Sequence, residues 1–147
     1  MASHYFGKKV KLDGYKFDSK KEAQFYLQFV KPSGMRFDVH PHYRVLDMFP
    51  VGGYKMRGMT YTPDFVLKRP DGSIAHVYDV KAGFTSYSVS TAARLRFKLF
   101  ALRYHVPVEC VIVRKHDFRV KILGFTTKFD EYQCQDVNYE LSDIIGC

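Results

Sequence analysis

No apolar run approaches the ~18 residues that a membrane-crossing helix requires, and the opening MASHYFGKKVKL lacks the apolar stretch of a secretory signal. A helical membrane protein is thereby excluded, no membrane partner is expected, and a soluble protein is the expectation. Cysteine is scarce: Cys110, Cys134 and Cys147 are odd in number and widely spaced, which argues against a disulfide framework or a paired zinc knuckle. Internal repeats, low-complexity tracts and Gly/Ser linkers are missing as well. Residues 1–147 are therefore expected to form a single domain, with a core over about 8–124 and a tail, 125–147, of unassigned role. Acidic residues are few, 15 against 23 Lys and Arg, for a formal net charge of +8.

What is present is enough to fold. Hydrophobic residues make up 46% and aromatic residues 16% of the 147, far above the composition of a disordered chain and sufficient for one core. The charge is uneven. Residues 1–105 hold 18 Lys and Arg against 8 Asp and Glu, whereas residues 106–147 hold 5 against 7. A basic surface of this kind concentrates polyanions and suits contact with phosphates.

Local signals predict the elements. KVKLDGYKF alternates and bends at Asp13-Gly14, the signature of a short hairpin. DSKKEAQFYLQFV predicts a helix, with Ser19 and Glu22 as a capping box and Pro32 and Gly34 beyond its end. MRFDV, YRVLDMF and YKMRGMTY are extended, and TPDFVLKRPDGSIAHVYDVKAG supplies two strands around a Pro-Asp-Gly-Ser bend. STAARLRFKLFALRYH is a second helix capped at Ser90 or Thr91, with Leu95, Leu99 and Leu102 on its apolar side. VECVIVRK and FRVKILGF add two strands, and the segment from Thr126 is mixed. This order predicts an α/β fold, a central mixed β-sheet flanked by helices.

The Thr62–Gly83 segment poses a chemical problem. With Asp71-Gly72 as a two-residue turn, or Pro70 to Ser73 as a four-residue loop, Asp64 faces Asp79 across the strand pair. Lys81 then shares their face opposite Thr62, and Phe65, Leu67, Tyr78 and Val80 point to the other side. A three-residue loop with a bulge at Gly72 slips the pairing by one residue and separates the acids. The first register is preferred because it gathers the apolar side chains on one face. Val66, Val77 and Val80 suggest a strand pair covered on both faces rather than an exposed edge hairpin. Opposed carboxylates repel, and a hard divalent ion between them offsets that repulsion. Lys81 is placed to stabilise developing charge.

Pro63-Asp64-Phe65 followed by Asp79-Val80-Lys81 resembles the signature of the PD-(D/E)XK nuclease superfamily. With Glu22 in FDSKKEAQFY, the extended HPHYRVLDMF and the basic helix RLRFKLF, the region from about 8 to 104 resembles phage-encoded proteins allied to Holliday junction resolvases. Relatives often carry Glu where this chain has Asp79, and Lys-Gly where it has Lys81-Ala82-Gly83. The resemblance implies a restriction-endonuclease-like core and a Mg²⁺-dependent endodeoxyribonuclease, with Mn²⁺ able to substitute. It implies Asp64, Asp79, the Val80 carbonyl and Glu22 as metal ligands and Lys81 as the aid to the nucleophile. It further implies four-way DNA junctions as substrate, a homodimer whose two sites match the junction's symmetry, and action in the cytoplasm of a phage-infected host cell. The alternatives are a less selective phage nuclease acting on flaps, nicks or duplex, and a non-catalytic DNA-binding or phage assembly protein.

Glu22 has a competing structural role, because closing the capping box is expected to occupy its carboxylate and leave none for a metal. His40-Pro41-His42 reads as a pair of surface polar residues. Arg94 with Lys98, and Arg96 with Arg103, form two basic helical stripes suited to backbone phosphates. The Phe84–Val89 loop carries hydroxyls for DNA contact, and Lys8, Lys9 and Lys11 form a candidate flexible phosphate-binding arm.

Overall fold

The computed structural model describes residues 9–85 and 87–146. Strands β1 (Val10–Leu12) and β2 (Tyr15–Phe17) form the expected hairpin, turning at Asp13 and Gly14, both at positive φ. Helix α1 (Lys20–Phe25) starts at Ser19, whose side chain accepts the Glu22 N–H at 3.1 Å. It widens into a π turn over Tyr26–Val30, tightens to a 3₁₀ turn over Lys31–Ser33, and stops at left-handed Gly34. Then come β3 (Arg36–Val39), β4 (Tyr43–Leu46), β5 (Phe49–Val51), β6 (Tyr54–Met56), β7 (Met59–Tyr61), β8 (Phe65–Lys68) and β9 (Ile74–Val80). After them lie α2 (Thr91–Tyr104), β10 (Glu109–Val113), β11 (Phe118–Lys121), β12 (Tyr132–Cys134) and the short α3 (Ser142–Ile145). Among the described residues no helix is long and apolar enough to cross a membrane.

The central sheet has six strands in the order β12-β11-β10-β9-β8-β3. Its pairs are antiparallel except β9 with β10, which run parallel and are joined by α2 as the crossover. This is the expected mixed sheet flanked by helices. β4 with β7, and β5 with β6, form separate two-stranded ribbons.

Both faces of the β8–β9 pair are covered, as the valines predicted. On one face Phe65, Leu67 and Tyr78 pack with α1, where the Phe25 ring meets Tyr78 edge-on at 5.1 Å and Phe118 at 5.0 Å. On the other, Val66 and Val77 pack under α2. The buried stripe of α2 is not led by the expected leucines, of which Leu99 is half-buried against the core. Phe97 and Phe100 are buried, while Leu95 and Leu102 are 47% and 73% exposed. Phe97 and Phe100, with Ala93 and Tyr104 at helical spacing, put large rings toward the sheet. These rings remove more apolar surface from water than leucines at the same places.

The turn between β8 and β9 differs from the preferred expectation, yet the site register survives. Arg69 and Ser73 close a three-residue loop, with the Arg69 N–H donating to the Ser73 carbonyl at 2.9 Å and Asp71 Oδ1 accepting the Ser73 N–H at 2.8 Å. Gly72, at φ 89° with its N–H donating to the Arg69 carbonyl at 2.9 Å, gives the loop the bulge of the alternative register, and the jump from Lys68↔Ile74 to Leu67↔His76 places a second bulge at Ala75. One extra residue in the loop is cancelled by one in the strand, and Phe65↔Tyr78 returns to the expected register.

The tail is part of the core, which corrects the expected boundary near residue 124. β12 is the sheet's edge strand, and Cys134, Val137 and Leu141 are buried. Tyr132 donates to Glu109 Oε1 at 2.8 Å, and the Tyr139 carbonyl lies 2.9 Å from His76 Nε2. His76 Nδ1 and Glu109 Oε2 are 2.7 Å apart, both fully enclosed. The tail thus supplies polar partners that a buried Glu–His pair needs.

Candidate active site

The ends of β8 and β9 bring the predicted acids together. Asp64 sits in a bend one residue before β8, where its N–H donates to the Tyr78 carbonyl at 3.1 Å. Its Oδ2 accepts the Val80 N–H at 2.7 Å, so the carboxylate takes over a hydrogen bond that a longer strand would have supplied. Asp79, 7% exposed, accepts from the Tyr61 hydroxyl at 2.6 Å and pairs with Lys81 Nζ at 3.0 Å. Burial first, then the charges of Asp79 and Glu22, push the Asp64 carboxyl well above the usual aspartate range against the pull of the Val80 N–H. Burial acts to lower Lys81, but the charge and hydrogen bond of Asp79 with the charge of Asp64 outweigh it, and its pKa is raised. Lys81 therefore stays an ammonium at neutral pH. Burial and Asp79 likewise raise Tyr61, which keeps its proton and remains a donor.

Glu22 enters from α1 with its two oxygens divided. Oε1 accepts the Asp18 N–H at 2.7 Å and closes the helix start, while Oε2 lies 2.6 Å from His40 Nε2. The expectation that capping would use up the carboxylate is thus corrected: closing the helix start occupies Oε1 and leaves Oε2 on His40.

His40 is the main residue the sequence signals missed. It follows β3 in a left-handed conformation, φ 53°, which is costly for a residue before proline and is held by its N–H donating to the Asp64 carbonyl at 3.1 Å. That backbone turn brings Nε2 between Glu22 and Asp64 Oδ1, the latter 3.8 Å away. Asp18, Glu22 and His40 each present a ligand atom within 4.8 Å of the others. His42, two residues on, meets the Thr62 hydroxyl through Nδ1 at 2.8 Å and stays exposed. Tyr61 was missed too, since a strand tyrosine reads as packing until its hydroxyl is seen on Asp79.

Asp64, Asp79 and Lys81 open into a cleft of about 350 Å³ whose walls include Thr60, Thr62 and Arg96; Glu22 and His40 do not line it. Cys110, paired with Asp79 across β9–β10, has its thiol pushed up to about 12 by burial and then by the Asp79 charge, so it is no nucleophile at neutral pH. Of the two basic stripes on α2, the cleft takes Arg96. Arg94 and Lys98 line a neighbouring hollow with Leu123 and Gly124, and Arg94 Nε donates to the Val89 carbonyl at 3.2 Å. Lys11 is an exposed strand residue of β1, and Lys9 lies 4.0 Å from Asp18, so both belong to the first hairpin and its edge rather than to a free arm. Lys8 lies outside the described residues. In the Phe84–Val89 loop, Val89 is buried beneath α2 and Tyr87 is 99% exposed.

Residues 2–132 match the family described as "Protein of unknown function (DUF1064)", and the chain belongs to that family. No curated protein and no solved structure matches the chain.

Proposed function

For this DUF1064 member we propose metal-dependent hydrolysis of DNA phosphodiester bonds, with branched DNA, the four-way junction foremost, as substrate. The observation that carries the proposal is the convergence of Asp64, Asp79 and Lys81 in one cleft, in the order of the PD-(D/E)XK signature. The donor set suits a divalent ion. Asp64, Asp79 and Glu22 crowd together, and the burial and repulsion that raise the Asp64 pKa are what a cation relieves. Mg²⁺ is the proposed ion, held by Asp64, Asp79 and the Val80 carbonyl with Glu22 alongside, and Mn²⁺ is proposed to substitute. When bound, the ion supplies Lewis-acid charge at a phosphoryl oxygen.

The remaining work falls to the chain's own groups. The Val80 N–H holds Asp64 Oδ2, and the Tyr61 hydroxyl and the Lys81 ammonium hold the two oxygens of Asp79, so both carboxylates are fixed in one geometry at the cleft. Lys81 keeps a positive charge beside Asp79, where it stabilises the charge that develops on an attacked phosphate. Arg96, Thr60 and Thr62 at the cleft wall offer donors to phosphate oxygens. A homodimer would present two such clefts to the two strands of a junction.

Purified protein with Mg²⁺ is expected to cut labelled four-way junctions in preference to linear duplex of equal length. Binding without cleavage would reject the catalytic proposal, and equal cutting of both DNAs would favour the less selective nuclease. His40 gives a second expectation. As the partner of Glu22 Oε2, it orients a carboxylate of the site, so His40→Ala is expected to weaken Mn²⁺ binding by about 10- to 100-fold in calorimetric titrations. Unchanged affinity would remove His40 from the site.

A further inference from the structure

The β5–β6 hairpin does nothing for the core. All six of its strand residues are exposed. Its register pairs Phe49 with Met56 and Val51 with Tyr54, which puts these four apolar side chains on one face, and leaves Pro50 and Lys55 on the other. Tyr54 is 85% exposed, Val51 58%, Met56 53% and Phe49 42%. A lone two-stranded ribbon is marginal in water, and four large apolar groups on an uncovered face call for a partner.

The hairpin is clamped at its root and free at its tip. A Cβ on Gly58 would meet the Leu46 carbonyl oxygen at 2.5 Å and the Met48 nitrogen at 3.1 Å, so the backbones pass too closely for any other residue. At the tip, Gly52 and Gly53 have nothing within 4 Å of the equivalent position among the described residues. The root is continuous with the catalytic cleft. β7 follows the hairpin directly, and its Thr60 and Tyr61 line that cleft. Three-residue strands and their turn carry the tip roughly 15 Å from the root.

We propose that this hairpin is a nucleic-acid arm whose Phe49, Val51, Tyr54 and Met56 face packs on unstacked bases while Lys55 and Arg57 hold the adjoining phosphates. The arm's charge suits this partner. Among the described residues neither Lys55 nor Arg57 pairs with a carboxylate, and Asp47 at the root is engaged by Arg103 at 3.0 Å. DNA offers phosphates beside base faces that rings and methionine cover well, and Lys55, on the ribbon's other face, is left to meet the phosphates when the apolar four cover the bases. The proposal rests on the nuclease reading for its substrate class and adds the element that recognises the branch, where bases leave the stack.

The test uses the full chain without divalent metal, so that binding is read apart from cleavage. Four-way junctions carrying 2-aminopurine at the branch point, and linear duplexes of the same composition, are titrated with wild type, with Phe49→Ser/Tyr54→Ser and with Lys55→Gln/Arg57→Gln. Wild type is expected to change the 2-aminopurine fluorescence. The apolar pair is expected to lose that change and about tenfold or more of junction affinity, with duplex affinity and melting temperature kept. The charge pair is expected to weaken both DNAs and to reduce the salt dependence by about two phosphate contacts. Unchanged junction binding, or equal loss on both DNAs, by the apolar pair overturns the arm while leaving the nuclease proposal standing. Conversion of a wild-type dimer to a monomer by the apolar pair assigns the face to a second copy and overturns it as well. Failure of wild type to bind either DNA overturns both proposals.

Discussion

Asp64→Asn is expected to abolish DNA cleavage, by about a thousandfold or more, while making the metal-free protein more stable at neutral pH. On the proposed mechanism this aspartate is a metal ligand, and losing several kcal/mol of transition-state stabilisation has that effect on rate. Binding is expected to persist or tighten, because a negative charge facing phosphate is gone. The stability gain has its own cause. Burial, Asp79 and Glu22 raise the Asp64 pKa in the folded state, so the folded chain holds this proton more tightly than the unfolded chain does. Stability from this group is then full below the unfolded value, near the ordinary 3.8, and falls as pH rises toward the raised folded value. Asparagine removes that loss, with a gain on the order of 1–2 kcal/mol, or several degrees in melting temperature. Thermal melts at pH 7.5 and pH 4 check the sign: the variant should gain at the higher pH and lose most of that advantage at the lower. A variant no more stable at pH 7.5 than wild type would show that the carboxylates do not strain the fold.

Removal of residues 126–147 is expected to cost more than the fold can lose. The tail contributes an edge strand, buried Cys134, Val137 and Leu141, and the Tyr132 and Tyr139 contacts to the Glu109–His76 pair. Leaving buried polar groups without partners costs about 1–3 kcal/mol each, and the lost apolar burial adds to it, against a total stability of about 5–15 kcal/mol for a domain. The truncated chain should therefore lose its cooperative urea transition. Tyr132→Phe, which removes one donor to Glu109 and keeps the ring, should lower stability by about 1–3 kcal/mol. A truncated chain that unfolds cooperatively at the wild-type midpoint would rule out a core role for the tail. Cleavage would fail with the tail too, because β10 pairs with β9 beside Asp79.

The tail shows why the sequence understated the core. Residues 126–147 lack a long periodic run, and their contribution consists of isolated residues, Tyr132, Val137 and Tyr139, whose partners lie 20 or more positions away. In α2 the leucine spacing was legible, but so was the Phe97 and Phe100 spacing, and periodicity cannot rank two stripes of one helix.

At the site, local chemistry carried most of the placement. The β-rich runs, the Pro-Asp-Gly-Ser bend and side-chain alternation were enough to set Asp64 near Asp79, with Lys81 on the same side, because strand geometry is a short-range rule. Three-dimensional packing decided the rest: the cancelling bulge at Ala75, the divided Glu22 carboxylate, and the left-handed turn that swings His40 onto it. The last two depend on atoms supplied by a distant part of the chain, His40 for Glu22 Oε2 and the Asp64 carbonyl for His40, and contacts between remote segments leave no periodic trace along a single strand of sequence.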